Sequence, residues 1–330
     1  MKALVTGAGG FIGSHLCRRL REDGIAVRGL FLPEEPVHTL GDVGVEVFRG
    51  DLLKPKTLEG LADGVDTAYH LAARVTDWGR YKAFWNIIVN GTENLLSLSW
   101  GRCQRFVFLS SIAAYGVGRT MKGFTEDTPC KRTGIPYGDS KMEAEKRVMK
   151  YHNDGVLSCT LVRPANVIGP GSVWVRDALD AFHRGPVPLI DGGEFSASLI
   201  YVENLVDGIV LASTKKEGVG QCFNFRDSWQ VSWKRYFTDL GALVGKQPKL
   251  KLPFSVAWQL ARLQEVACQP FGIRPLMTRM TLGITGRNND VSTEKAARVL
   301  GWKTRIPYEE AMHKIEAWVR DSYLPSRKRS

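Results

Sequence analysis

Closely spaced pairs of cysteine or histidine are missing from this sequence of 330 residues. The six cysteines are spread along the chain with no Cys-x-x-Cys pair, and the six histidines form no His-x3-His or His-Glu-x-x-His motif. Zinc ribbons and redox dithiols need two ligands close together, so the sequence excludes both. We expect free thiols, no metal site and a reducing compartment, which points to the cytoplasm.

Long hydrophobic runs are also missing. No stretch approaches the ~20 uncharged apolar residues of a transmembrane helix, and residues 1–7 become glycine-rich too early for a signal peptide. The nearest candidate for membrane contact is the apolar segment 252–266. We interpret it as a helix packed on the core or lining an apolar pocket, with peripheral membrane contact as the alternative.

The chain has a surplus of positive charge: Lys and Arg number 45 against 34 Asp and Glu, a net +11. Such a surplus suits nucleic acid, an anionic membrane, an anionic ligand or simply a basic surface. No stripe of Lys and Arg interleaved with aromatics occurs, and no nucleic-acid motif. We therefore expect a small-molecule substrate and no nucleic-acid partner.

The first two-thirds of the chain alternate strand-like and helix-like patterns. This alternation predicts an α/β fold of the Rossmann type, a doubly wound parallel sheet, followed by a smaller, mostly helical C-terminal substrate lobe. We expect residues 1–168 and about 203–226 to form the cofactor domain, and 169–202 and 227–330 the lobe. The predicted strands are 2–6, 26–32, 45–49, 67–71, 105–110 and 159–162; the predicted helices are 11–22, 57–62, 81–98, 140–151, 233–244, 252–267 and 308–320.

A glycine-rich loop joins the first predicted strand to the first helix. Residues 6–13 read TGAGGFIG, with glycines at 7, 10 and 13. Gly7 lets the chain turn off the strand, Gly10 lacks a Cβ where a diphosphate approaches, and Gly13 lets the helix pack closely. The helix N-terminus, including Phe11 and Ile12, offers free N–H groups to the phosphates. The loop therefore predicts a dinucleotide cofactor.

The G-x2-G-x2-G spacing resembles the extended short-chain dehydrogenase/reductase superfamily, which includes the NAD-dependent epimerases and dehydratases. Later fragments agree in order: residues 51–52 (DL), 70–73 (HLAA) and 163–170 (RPANVIGP). The resemblance implies that residues 51–52 border the adenine ring, that 71–73 run beside the nicotinamide ribose, and that the third fragment lies under the nicotinamide. The cofactor residues it implies are Asp51, Leu52, Leu71, Ala72, Ala73 and Pro164, together with Tyr137 and Lys141.

Tyr137 and Lys141 stand four residues apart, on one face of a predicted helix start. Hydride transfer to or from carbon requires a proton donor or acceptor for the oxygen. Tyr137 would serve as this acid/base, and the ammonium of Lys141 beside it would lower its pKa. The resemblance assigns Ser111 as the third catalytic residue, hydrogen-bonded to the substrate oxygen.

Two positions depart from the family pattern. Ile88 stands where related enzymes often have an Asn that supports a proton relay, and Asn86 and Asn90 point elsewhere on the helix. The second strand ends in residues 31–33 (FLP), which offer neither the acid that grips the ribose of NAD nor the Arg that binds the extra phosphate of NADP. Glu34 and Glu35 follow too late in the sequence. Because no Arg stands there to bind the extra phosphate of NADP, the sequence favours NAD as the cofactor.

Two substrate classes remain open. Residues 76–81 (TDWGRY), 201–204 (YVEN) and 292–296 (STEKA) resemble the 3β-hydroxysteroid dehydrogenase-like group, which implies an alcohol–ketone interconversion on an apolar, sterol-like or keto-acid-like substrate. The alternative is a nucleotide-sugar epimerase or dehydratase with tightly bound NAD, although Ala197 and Ser198 replace the Arg-Asp common there. The weaker substrate candidates are Thr76, Trp78, Ser111 and Asn166.

Two further expectations concern turnover and assembly. A redox sensor that binds dinucleotide without turnover typically lacks the Tyr/Lys pair, which disfavours that alternative. Family members often form homodimers through two long helices, and the resemblance implies a homodimer through residues 81–98 and 140–151.

Overall fold

The computed structural model describes residues 1–37 and 40–328. The strands are β1 Lys2–Thr6, β2 Ala26–Phe31, β3 Glu46–Arg49, β4 Thr67–His70, β5 Arg105–Leu109, β6 Met121–Phe124, β7 Cys159–Pro164, β8 Asn166–Ile168, β9 Pro188–Ile190, β10 Leu199–Tyr201, β11 Cys222–Phe225, β12 Leu250–Leu252 and β13 Asn289–Val291. The α-helices are α1 Phe11–Glu22, α2 Tyr81–Trp85, α3 Gly91–Ser99, α4 Pro136–Asn153, α5 Val173–Arg184, α6 Val202–Thr214, α7 Trp233–Ala242, α8 Phe254–Cys268, α9 Arg279–Thr285, α10 Glu294–Leu300, α11 Tyr308–Trp318 and α12 Leu324–Lys328.

The main sheet has seven strands in the order β11-β7-β5-β4-β1-β2-β3, and every pairing in it is parallel. One apolar cluster fills the face covered by α1 and α6, and a second fills the face covered by α3 and α4. The strand order reverses between β1 and β4, so the crevice at their carboxyl ends is where such a sheet binds ligands. The doubly wound Rossmann-type fold is confirmed.

The C-terminal part is mostly helical, as predicted. Outside the main sheet the strands form two-stranded pairs, β8 with β10, β9 with β12 and β6 with β13, and a third apolar cluster lies among α5, α7 and α11. Strand β11 returns the chain to the edge of the main sheet beside β7. The division into a cofactor domain and a substrate lobe at the stated residues stays a prediction.

Three helices differ from the sequence prediction. The helix predicted over 81–98 contains a π-helical segment, Asn86–Asn90, between α2 and α3. The helix predicted over 57–62 is a single 3₁₀ turn at Pro55–Leu58. Helix α4 begins at Pro136, earlier than predicted, because proline at the first helical position has its φ already fixed for a helix.

The apolar segment 252–266 forms a helix that is packed on the core on one side and exposed on the other. Within α8 only Ala257 and Ala261 are fully buried, while Leu263 is 67% exposed and Val266 65%. The inner face packs against Ile190 and Leu282, and the outer face is open. Among the described residues, no helix has the length and apolar character needed to cross a bilayer.

Candidate functional site

The glycine loop lies at the switch point of the sheet. Gly7 has a left-handed φ of +68°, and a Cβ there would come within 3.0 Å of the backbone of Ala72. Helix α1 begins after Gly10 with no side-chain cap and no acid in its first turn. Its first N–H groups are therefore available to an anion, and the loop fits the diphosphate of a dinucleotide.

A buried histidine fixes the loop against β4 and the π-helical segment. The Nδ1 of His70 is 2.7 Å from the hydroxyl of Thr6, which accepts the N–H of Ala72 at 3.2 Å. The Nε2 of His70 is 2.9 Å from the hydroxyl of Thr92, which donates to the carbonyl of Ile88 at 2.5 Å. Burial and nearby Lys141 lower the pKa of His70 to about 3. His70 therefore stays neutral and serves to hold these elements together.

Glu35 returns to the glycine loop, contrary to the sequence argument that it follows too late. Its carboxylate accepts the N–H of Leu32 at 3.0 Å and lies against the Cα of Gly9, where an added Cβ would clash with it. Arg49, the nearby cation, donates to the carbonyls of Leu32 and Glu35. An acid therefore stands at the end of β2 after all, and the neighbouring arginine is already engaged with backbone.

Tyr137 and Ser111 are brought together by the close packing of α4 on the turn after β5. A Cβ at Gly138 would lie 2.6 Å from the carbonyl oxygen of Ala113, so only glycine permits this approach. The Ser111 side chain is near enough to Tyr137 to lower the pKa of its phenol. The Ser111 hydroxyl oxygen also accepts the N–H of Ala113 at 3.1 Å, which orients it.

Lys141 lies one turn along α4 from Tyr137 and is buried, with 2% exposure. Its Nζ donates to the carbonyl of Leu109 at 2.6 Å and is 4.8 Å from the ring centroid of Phe108. The distance from Nζ to the ring centroid of Tyr137 is 6.0 Å. The three predicted catalytic residues are thus assembled at the carboxyl end of β5.

The pKa of Tyr137 is shifted in the direction opposite to the sequence expectation. Burial raises it to about 12, and only the nearby side chain of Ser111 lowers it. Burial lowers the pKa of Lys141 to about 7, although Glu145 raises it. The reason is that desolvation penalises both charged forms, so Lys141 is only partly charged near neutrality and assists Tyr137 less than a full ammonium would.

The remaining predicted cofactor residues line the same edge of the sheet. Asp51 follows β3 and accepts the N–H of Leu53 at 2.9 Å, while Leu52 is buried in the core. Leu71, Ala72 and Ala73 follow β4 and are partly buried, and Pro164 ends β7. Asn166 uses its amide nitrogen to donate to the carbonyl of Ala197 at 2.7 Å, joining β8 to β10.

Ile88 is buried, so this position offers no polar side chain toward the site. Asn86 and Asn90 bond to each other on an exposed side of the helix at 3.2 Å. The side-chain relay that an Asn at position 88 would support is absent from this arrangement.

The loop carrying Thr76 and Trp78 is fastened to the C-terminal part through Asp77. Arg274 donates to both carboxylate oxygens of Asp77 at 2.8 and 3.0 Å, and the hydroxyls of Thr278 and Thr281 donate to one of them at 3.0 and 2.9 Å. Burial alone would raise the pKa of Asp77, but these bonds hold it below its usual value.

Apolar side chains surround the ring of Tyr137 on the side of the C-terminal part. It belongs to a cluster with Val117, Ile135, Met280 and Ile284. Helix α8 adjoins this cluster, since a Cβ at Gly118, next to Val117, would lie 3.2 Å from the ring of Trp258.

Sequence reasoning set Glu35 aside, quoted His70 and Asp77 only within family fragments, and did not find Met280 or Ile284. A carboxylate shortly after the second strand was a signal for Glu35, whereas the contacts of the other four join residues far apart in sequence.

Comparisons with known proteins agree with this geometry. A profile of the "NAD dependent epimerase/dehydratase family" matches residues 3–225. A ketoreductase of Stigmatella aurantiaca, named for 4-hydroxy-2-methyl-3-oxo-4-farnesyl-3,4-dihydroquinoline-1-oxide, is 29% identical over 94% of this chain and 95% of its own length. A "3 beta-hydroxysteroid dehydrogenase/Delta 5-->4-isomerase" of Mycobacterium tuberculosis is 29% identical over 94% of this chain and 88% of its own.

Among solved structures, a UDP-glucose 4-epimerase of Thermotoga maritima superimposes with a TM-score of 0.79 and 23% identity, covering 98% of this chain and 100% of the epimerase. At this identity the likeness shows the shared fold alone. The family match covers more than half of the chain, and the relatives are dehydrogenases and reductases. The chain therefore belongs to the NAD-dependent epimerase/dehydratase family and is an NAD(P)-dependent oxidoreductase that interconverts a secondary alcohol and a ketone.

Proposed function

We propose that this protein exchanges hydride between NAD and an apolar alcohol or ketone, with Tyr137, Lys141 and Ser111 as the catalytic residues. The observation that carries the proposal is the close packing of α4 on the turn after β5, which brings Tyr137 and the buried Lys141 to Ser111. The glycine loop, whose start is held by Thr6 and His70, would hold the dinucleotide at the carboxyl ends of β1 and β4, and NAD bound there would supply or accept the hydride.

The protein residues handle the proton and the oxygen. Because the Ser111 hydroxyl accepts the N–H of Ala113, its own proton points away from this N–H, toward the side of Tyr137, where it is donated to the substrate oxygen. Tyr137 gives its phenolic proton to that oxygen during reduction and takes it back during oxidation. When Lys141 is protonated, its positive charge stabilises the phenolate and lowers the pKa of Tyr137.

The substrate class follows from the side chains around Tyr137. Val117, Met280 and Ile284 are apolar, which suits a hydrocarbon substrate better than a sugar diphosphate. The farnesyl-bearing compound in the name of the Stigmatella relative is of this kind. Thr76 and Trp78 are the weaker candidates for substrate contact, and Asn166 has its amide nitrogen engaged with Ala197.

The second candidate is a nucleotide-sugar epimerase or dehydratase, favoured by the family match and the fold of the Thermotoga enzyme. It needs cations for a diphosphate in the C-terminal part. Of the arginines available there, Arg287 lies 3.3 Å from the ring centroid of Phe254 and 3.7 Å from Asp191, while Arg176 and Arg184 are exposed. NAD retained through purification would support this candidate, because an epimerase regenerates its cofactor within each cycle.

Replacement of Tyr137 tests the catalytic assignment. We expect Tyr137→Phe to lower kcat by about 10²-fold or more, since a positioned acid/base contributes this much. Binding of NAD, followed by fluorescence titration, should remain. Tyr151→Phe, at a partly buried position further along the same helix, is the matched control and should keep full activity. Normal turnover of Tyr137→Phe would refute the mechanism.

The choice of NAD rests on Glu35. We propose that its carboxylate hydrogen-bonds the adenosine ribose and repels the additional phosphate of NADP. Glu35→Gln should weaken NAD binding by about tenfold, the value of one charge-assisted hydrogen bond. It should also reduce the preference of the protein for NAD over NADP. Calorimetric titration with both dinucleotides measures this, with exposed Glu34→Gln as the control. An unchanged preference would remove Glu35 from the cofactor site.

We further propose a homodimer through α2–α3 and α4, in the cytoplasm. The exposed surfaces of these helices carry the Tyr151 hydroxyl bonded to Glu93 at 3.0 Å and the Arg147–Glu143 pair at 3.3 Å. Such an interface would be polar, and sedimentation velocity at two salt concentrations tests it.

A further inference from the structure

The outer surface of helix α8 and the loop after it expose large apolar side chains. Together they form one patch, defined as Val256, Leu260, Leu263, Val266, Phe271, Ile273 and Leu276, with exposures from 41% to 89%. Phe271 and Leu276 are the most exposed, at 77% and 89%. Half of the exposed large apolar side chains in the described residues fall between 250 and 276.

Both faces of α8 are therefore apolar. At 100° per residue, Leu263 and Val266 point away from the buried Ala257 and Ala261, and Val256 and Leu260 lie at the side of the same exposed surface. Large apolar side chains on the outer side of a helix, beside polar ones such as Arg262, are normally covered by a partner. In the described residues the protein covers only the inner face, so the outer patch needs another partner.

The charges around the patch identify that partner. Residues 246–279 contain six lysines and arginines and one acid, a surplus of five against eleven for the whole chain. In the part of the chain that the structure describes, Lys249, Lys251 and Arg262 are exposed and form no ion pair. Apolar side chains flanked by unpaired cations are the chemistry that an anionic lipid surface recognises.

A second copy of the chain fits the patch less well. In a twofold interface the same surface meets itself, so the cations of one copy would face those of the other. Lipid headgroups of opposite charge avoid this repulsion. The segment also adjoins the apolar side chains around Tyr137, since Trp258 of α8 lies next to Gly118.

We propose that α8 and the loop to Leu276 dock this protein on the surface of an anionic lipid bilayer. The helix lies in the plane of the interface with its outer face among the acyl chains, and Lys249, Lys251 and Arg262 meet the headgroups. This inference does not depend on which substrate the enzyme uses.

Co-sedimentation with vesicles tests the proposal. The full-length protein should bind vesicles of phosphatidylcholine and phosphatidylglycerol at 3:1, and bind those of phosphatidylcholine alone at least tenfold more weakly. Raising salt from 50 to 500 mM should reduce binding, because exposed charges are screened. Leu263→Glu and Phe271→Glu should each weaken binding by about tenfold or more, since a buried side chain of this size is worth over one decade.

Trp100→Glu is the matched control, because Trp100 is 61% exposed but lies at the end of α3. It should bind vesicles like the unaltered protein. Thermal unfolding and NAD titration establish that each variant is folded, and neither should change. Equal binding by all variants, or no preference for anionic vesicles, would overturn the proposal. So would a dimer that Leu263→Glu dissociates while vesicle binding is absent, because the patch would then be covered by a second copy.

Discussion

Lys141 offers a test in which the effect of one substitution changes sign with pH. It is 2% exposed, and burial lowers its pKa to about 7, whereas an unfolded lysine titrates near ~10.4. Between these values the unfolded state binds more protons than the folded state. The contribution of this group to stability therefore rises as the pH rises from 7 to 10.

The magnitude can be worked from the site. At pH 7 the depressed pKa costs the folded state about 4 kcal/mol, and at pH 10 less than about 1 kcal/mol. Lys141→Met removes this cost but also removes the hydrogen bond to the carbonyl of Leu109, which is worth about 1–3 kcal/mol when the acceptor is left unpaired. The variant should therefore be more stable than the unaltered enzyme by about 1–3 kcal/mol at pH 7 and less stable at pH 10.

Urea unfolding of the ligand-free protein at pH 7 and pH 10 measures the difference. Lys146→Met, an exposed lysine on the same helix, is the control and should shift stability by less than about 0.5 kcal/mol at both pH values. Lys141→Met should also lose turnover. A stability difference that is the same at both pH values would refute the assigned pKa and, with it, the account of how Lys141 acts on Tyr137.

Two further predictions concern the glycine loop and the buried Glu145–Arg163 ion pair. Gly13→Ala should lower the free energy of unfolding by about 1–3 kcal/mol, because the added Cβ would clash with the carbonyl oxygen of Gly7. At Gly10 an added Cβ would lie 3.1 Å from the same oxygen, so Gly10→Ala should unfold normally but bind NAD poorly. Equal unfolding midpoints for the two variants would contradict this. Glu145→Gln removes the charge that pairs with buried Arg163 through bonds of 2.7 and 2.6 Å, so thermal unfolding should show a loss of about 3–5 kcal/mol, and an unchanged midpoint would show that the pair is dispensable.

Much of the fold and the catalytic centre could be predicted from local spacing. The glycine loop and the Tyr137–Lys141 pair depend on residues close in sequence, so their spacing can be recognised without the structure. The placement of Glu35 beside Gly9 could not be predicted because the chain turns after Leu32, and distance along the sequence then says little about distance in space. The pKa of Tyr137 was misjudged because spacing carries no information about burial.

Helix α8 shows a different limit. Its apolar pattern predicted a helix, but a pattern cannot say whether both apolar faces are covered by the same chain. The π-helical segment at 86–90 was likewise invisible, since its residues continue the helical pattern on either side.

The hydrogen bonds of Asp77 also determine when, during synthesis of the chain, its loop can be fixed. Asp77 precedes its partners Arg274, Thr278 and Thr281 by about 200 residues, as the separations of 197, 201 and 204 show. During synthesis the N-terminal half emerges long before these residues do. The loop carrying Thr76 and Trp78 therefore gains these bonds only once the chain is nearly complete, so a fragment ending before residue 274 would lack them even if its sheet had formed.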